Sequence, residues 1–137
     1  MDHLSRWTMV VDFGTTSTSA AIVDGVDVAL LDVGGLSHVP SAVRRDDGGG
    51  LVVGVGADRA GWAPETVDRV PKRSIGEVAH LVLGGVAVEV ADAVAAVLRS
   101  ILEEGTRKRN GLAPDAALLT HPARWTEAEC AALVDAA

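Results

Sequence analysis

The clearest pattern in the chain lies between Val88 and Arg109. Val90, Val94, Val97, Leu98, Ile101 and Leu102 recur at helical spacing, while Glu89, Asp92, Arg99, Glu103 and Glu104 fall on or near the other faces. This predicts an amphipathic helix. Asn110-Gly111 suits a left-handed cap at its end, and Pro114 follows as a stop. Upstream the pattern changes. Short β-branched and apolar runs at Thr8–Phe13, Thr18–Asp24 and Val28–Val33 predict three consecutive strands, and Asp24-Gly25 suits a tight hairpin between the last two. The chain therefore opens as an antiparallel meander, behind a flexible lead-in over residues 1–7.

The middle is more broken. Gly34–Val39 reads as a loop and Pro40–Arg45 as a short strand. Asp46-Asp47-Gly48-Gly49-Gly50 is a turn cluster before a strand at Leu51–Val53. Gly56–Ala63 has helical composition and stops near Pro64, and Glu65–Pro71 is irregular or extended. After the long helix, Ala116–Thr120 predicts a short buried strand, broken by His121-Pro122. Thr126-x-x-Glu129 is a capping-box pattern that opens a last helix through Ala137. There are no internal repeats and no low-complexity segment.

Composition narrows the classes. A chain of 137 residues suits one domain with a real core. Apolar residues make up 48% but aromatic residues only 3%, so that core is built from Val, Leu, Ile and Ala. The net charge of −7 argues against a nucleic-acid-binding surface. Arg107-Lys108-Arg109 reads as a solvated helix end, where cations suit the dipole. The single Cys130 excludes an intrachain disulfide framework and a cysteine-based zinc site. The four histidines, His3, His38, His80 and His121, show no metal-ligand spacing. No signal peptide is visible and no apolar run reaches membrane-spanning length, which leads to the expectation of a cytoplasmic protein.

The chemistry concentrates in Val10-Val11-Asp12-Phe13-Gly14-Thr15-Thr16-Ser17. Asp12 ends an apolar run, where an ionised group needs water, a partner or a metal. Gly14 permits a sharp turn and close backbone approach. Thr15, Thr16 and Ser17 supply hydroxyls, and successive turn N–H groups form an anion-binding concavity. Such a loop can hold a phosphate and its magnesium ion, with Asp12 as the carboxylate that organises the hydrated cation. The same residues also suit a plain β-hairpin in which Asp12 caps backbone groups.

These segments resemble a known family. The Asp-x-Gly-Thr-Thr loop resembles the first phosphate loop of the actin-like ATPases, the superfamily of heat-shock 70 chaperones, actins and sugar kinases. Val39-Pro40-Ser41-Ala42-Val43, Leu51-Val52-Val53-Gly54-x-x-Ala57, Lys72-Arg73-x-Ile75-Gly76 and Leu118-Leu119-Thr120-His121-Pro122-Ala123-Arg124-Trp125 resemble heat-shock 70 segments in the right order. The resemblance implies an α/β, actin-like ATPase (ribonuclease H-like) fold, of which this chain would be part of lobe I, with a mixed sheet and flanking helices. Residues 1–33 would carry the first strands of the base and the phosphate loop, 34–112 the upper subdomain, and 113–137 a returning strand and helix.

It further implies a larger DnaK-like chaperone that binds ATP or ADP with magnesium, hydrolyses ATP and thereby controls client proteins. Lys72 and Asp12 would be catalytic, with Asp12 reaching the metal through water. Gly14, Thr15, Thr16, Ser17 and Arg73 would be nucleotide-binding, and Pro122 would couple the ATPase to another domain. Lys72 is one of only two lysines, the other being Lys108, and it also reads as an ordinary surface lysine. Cys130 stands where the family carries the arginine partner of that proline, His121 replaces a valine and Arg124 replaces a tyrosine.

The second phosphate loop, of Asp-x-Gly-Gly-x-Thr type, does not occur in the sequence, nor do the adenosine-binding glycines. The expectation is an N-terminal fragment that is inactive alone and exposes apolar surface favouring self-association. A sugar-kinase-like member of the superfamily and a non-catalytic protein-binding scaffold are the alternatives.

Overall fold

The computed structural model describes residues 6–137. It is a mixed α/β structure with several sheets and two helices. The largest sheet contains β1 (Thr8–Phe13), β2 (Ser17–Asp24), β3 (Asp27–Leu30) and β10 (Ala116–Leu119) in the order β10-β1-β2-β3, with the short β4 (Val39–Pro40) also pairing with β2. β1, β2 and β3 form the expected antiparallel meander. β10 runs parallel to β1. Parallel neighbours require a crossover, and here the whole middle of the chain supplies it. That middle contains β5 (Val43–Arg45) between β6 (Leu51–Val53) and β7 (Val67–Asp68), then the hairpin β8 (His80–Leu83) and β9 (Val86–Glu89), then α1 (Val90–Lys108). α2 (Glu127–Ala136) closes the described structure.

Side-chain alternation along β1 decides where the core sits. Trp7, Met9, Val11 and Phe13 are buried, whereas Asp12 between them is exposed. They join Ala93, Val94, Val97, Leu98 and Ile101 of α1 and Leu133 of α2 in one cluster. Gly105 makes the close approach possible: a Cβ there would collide with the Met9 methyl and come within 3.2 Å of the Trp7 ring. α1 ends as its pattern predicts, with Asn110 (φ 56°) and Gly111 (φ 87°) left-handed and the Gly111 amide donating to Thr106 O. The capping box at Thr126 and Glu129 is formed.

The outer face of the large sheet is different. Cross-strand register places Leu118, Val10, Ala21 and Leu30 in one row, with Thr8, Val23 and Val28 in the next. Leu118 is 59% exposed, Val28 68% and Leu30 72%.

Several expectations are corrected. Residues 1–5 of the expected lead-in lie outside the described residues, but Trp7 is 1% exposed and its indole donates to Leu112 O at 2.9 Å, so it anchors the core. β10 is not buried; it forms a sheet edge with Ala116, Ala117 and Leu118 exposed. Gly56–Ala63 forms no α-helix. Gly54–Gly56 makes one 3₁₀ turn, and Trp62 folds back so that its indole donates to Gly56 O at 2.8 Å. Pro40–Arg45 splits into β4 and β5 because Ser41 and Ala42 leave the ladder to meet other partners. The expected third strand stops at Leu30. Arg109 is not merely solvated: it pairs with Asp24 at 2.5 Å and ties α1 to β2.

Candidate functional site

The Gly14 turn is tight and is held by Ser41. A Cβ on Gly14 would lie under 3.0 Å from the carbonyl oxygen of Ser17, so glycine is needed for contact rather than for backbone angle. The buried Ser41 hydroxyl donates to Gly14 O at 2.9 Å and lies 2.9 Å from Thr18 Oγ1. The Ser41 amide donates to Thr16 O at 2.9 Å. Satisfied buried hydroxyls of this kind fix a backbone path. The Val39-Pro40-Ser41 segment therefore clasps the loop between β1 and β2.

Asp12 projects from the C-terminal end of β1 with its carboxylate exposed. Thr120 Oγ1 donates to Asp12 Oδ1 at 2.8 Å, and the Thr120 amide continues the ladder by donating to Val11 O. Among the described residues the partner of this carboxylate is a hydroxyl, not a backbone amide, which sets aside the simple capping role.

Lys72 reaches the same region from a different element. Pro71–Ser74 forms a 3₁₀ turn with proline at its start, and Pro71 is buried. Gly76 follows with φ 79°, and a side chain there would strike Glu129 of α2 at 2.9 Å. That glycine lets α2 pack against the Lys72 segment. The Lys72 ammonium sits 5.4 Å from the Trp125 ring centroid. Burial pushes the Lys72 pKa below its ordinary value of 10.5; the Asp12 charge opposes this and the Arg124 charge adds to it.

Between these parts lies a cleft of about 310 Å³, lined by Thr15, Lys72, Arg73, Pro122, Arg124 and Trp125, with Ile75, Glu77 and Glu129 completing the walls. Of the residues expected from the sequence, Thr15, Lys72, Arg73 and Pro122 meet in this cleft. Asp12 stands close enough to act electrostatically on Lys72. Gly14 shapes the turn. Thr16 and Ser17 are in the turn but do not line the cleft; Thr16 is exposed and Ser17 opens β2 opposite Pro40.

Sequence reasoning did not pick out the parts played by Ser41, Thr120, Arg124 and Trp125. Trp125 is fixed by its amide donating to Pro122 O at 3.0 Å and by stacking with His121, with ring centroids 6.3 Å apart and an interplanar angle of 12°. Asp12 is the carboxylate beside the loop that could hold a hydrated cation, with Thr15 nearby as a hydroxyl donor. No group of three or more His, Cys, Asp or Glu side chains among the described residues could cage a metal ion. No helix among the described residues is long and apolar enough to cross a membrane.

Comparison with protein-family models and with curated proteins finds no match to the chain.

Proposed function

We propose that this chain forms one wall of an ATP-phosphate site of the actin-like ATPase type, in a heat-shock 70-like protein whose nucleotide state controls a client. The observation that carries the reading is the meeting of Thr15, Lys72, Arg73 and Pro122, from three separate stretches of sequence, around one cleft beside Asp12.

In this reading the Gly14 turn presents backbone N–H groups and the Thr15 hydroxyl to phosphate oxygens. Lys72, a compact point charge, neutralises charge that develops on the transferred phosphoryl group. Asp12 holds waters of a hydrated cation while Thr120 fixes one of its oxygens. Bound magnesium would supply further charge neutralisation on the phosphates. Catalysis by such a site is mostly positioning and electrostatics, so half a site binds weakly and does not turn over. In this reading Pro122, which lines the cleft, senses what occupies it and passes that to α2 through the turn it shares with Trp125.

A calorimetric titration of the purified chain with magnesium ATP tests this. Weak binding that disappears in Lys72→Ala, with no phosphate release in either protein, is expected. Turnover by the wild-type chain that is abolished in Lys72→Ala would overturn the half-site account. Transfer to a sugar in place of water, in a longer form of the protein, would support the kinase reading. Absence of any nucleotide binding there would leave a protein-binding scaffold.

A further inference from the structure

The cleft holds a cation to which the sequence assigned no task. Lys72, Arg73 and Arg124 all line it, in a chain of net charge −7. None of the three is in an ion pair among the described residues, where the pairs formed are Arg69–Asp58, Arg107–Glu104 and Arg109–Asp24. Of the two carboxylates in the walls, Glu77 and Glu129, the second also serves the α2 cap, accepting from the Thr126 amide and hydroxyl at 3.3 Å. With Glu77 and Glu129 the lining is nearly balanced, at a net charge of +1, and Asp12 acts on Lys72 from beside it. What stands out is three cations on one small cleft, none held in an ion pair among the described residues. Neighbouring cations repel one another, and an anion placed between them lowers that repulsion.

Arg124 lines the same cleft as Lys72 and its charge acts on the Lys72 ammonium. Its backbone is also fixed, since it lies inside the Pro122–Trp125 turn whose closing hydrogen bond is 3.0 Å. A guanidinium presents a planar fork that matches phosphate oxygens, whereas an ammonium offers a single centre of charge.

We propose that Arg124 is a second phosphate-binding cation, acting with Lys72 on neighbouring phosphate groups, so that the cleft prefers diphosphate and triphosphate anions to monophosphates. This rests on the phosphate-site reading above. One cation engages each of two linked phosphates, while a lone phosphate occupies only one of them.

Equilibrium dialysis of the full chain and its variants against pyrophosphate and against inorganic phosphate tests the idea. The wild-type chain is expected to bind pyrophosphate more tightly than phosphate. Arg124→Gln should weaken pyrophosphate binding by about tenfold, the scale of one hydrogen bond to a charged group, and bring it close to phosphate binding. Arg124→Lys should recover part of the loss. Arg99→Gln makes the same change in net charge beside the apolar groove between the two helices, away from the cleft, and should bind as wild type. If Lys72→Ala weakens binding while Arg124→Gln matches wild type, the role of Arg124 is refuted and the phosphate site stands. Equal losses in Arg124→Gln and Arg99→Gln would refute it as well, by showing an effect of bulk charge. If the wild-type chain binds neither anion, both readings fall.

Discussion

Replacing Gly14 with alanine strikes the loop on which the functional reading depends, and the structure sets the size of the effect. The added Cβ would sit under 3.0 Å from the Ser17 carbonyl oxygen, 3.4 Å from its carbonyl carbon and 3.8 Å from its nitrogen. These are backbone atoms, so no side chain can swing away. The turn itself must open. Overpacking of this kind costs about 1–3 kcal/mol. Opening the turn also disturbs the neighbouring Phe13↔Thr18 pairing and the Ser41 hydroxyl contact with Gly14 O, each hydrogen bond being worth about 1 kcal/mol net. A total of about 3 kcal/mol follows, a large part of the ~5–15 kcal/mol available to a domain, with a fall in Tm of about 10 °C.

Urea denaturation of Gly14→Ala against wild type measures this directly. Gly25→Ala is the informative partner. Gly25 has φ 60°, and a Cβ placed on it would meet nothing within 4 Å. It should therefore lose about 1–2 kcal/mol from left-handed backbone alone and leave anion binding intact. A Gly14→Ala protein within about 0.5 kcal/mol of wild type, the range of an ordinary surface substitution, would refute the clasped-turn account.

Three other outcomes are expected. Trp7→Ala should lose about 3–5 kcal/mol by urea denaturation, because the ring is fully buried against Gly105 and its indole hydrogen bond to Leu112 goes with it; a loss below about 1 kcal/mol would restore the flexible lead-in. The folded chain holds the Lys72 proton less tightly than the unfolded chain does, chiefly through burial, with Asp12 opposing and Arg124 assisting while Arg73, Glu77 and Glu129 face the same cleft. Stability should therefore rise as pH climbs from the depressed Lys72 value towards 10.5, phosphate affinity should fall over the same window, and a Lys72→Gln protein should show neither trend. Sedimentation should detect self-association through the outer sheet face, weakened in Leu30→Lys, since Leu118, Val28 and Leu30 leave contiguous apolar surface open to water; a strictly monomeric wild-type mass would contradict this.

What could be read from the sequence was local and periodic. α1 announced itself because six apolar residues follow a 3.6-residue repeat, and its Asn110-Gly111 cap and the Thr126 box are chemical signals confined to a few positions. β1 was legible as an apolar run, although the burial of Trp7 was not, because nothing local shows that Gly105 leaves room for it almost a hundred residues away. Gly56–Ala63 misled because alanine and arginine favour helix by composition, but no apolar face recurs there to bury one. The β8–β9 hairpin went unassigned despite Gly84-Gly85, whose φ values of 60° and 77° are those of a tight turn.

The candidate site followed the same rule. Asp12, Gly14, Thr15 and Lys72 could be named from short motifs. Ser41 clasping a loop 27 residues away and Thr120 holding a carboxylate 108 residues away could not, because their roles exist only once the chain has folded. Arg124 and Trp125 lie in a matched segment, yet only their meeting with Lys72 in one cleft gives them a task.

The most direct test of the central claim is an amide NMR titration of the chain with magnesium ATP. The account predicts that resonances of Gly14, Thr15, Thr16 and Lys72 move together on one binding curve, and that they stay still in Lys72→Ala. Shifts confined to the apolar groove around Leu98 and Leu102, or none at all, would contradict it.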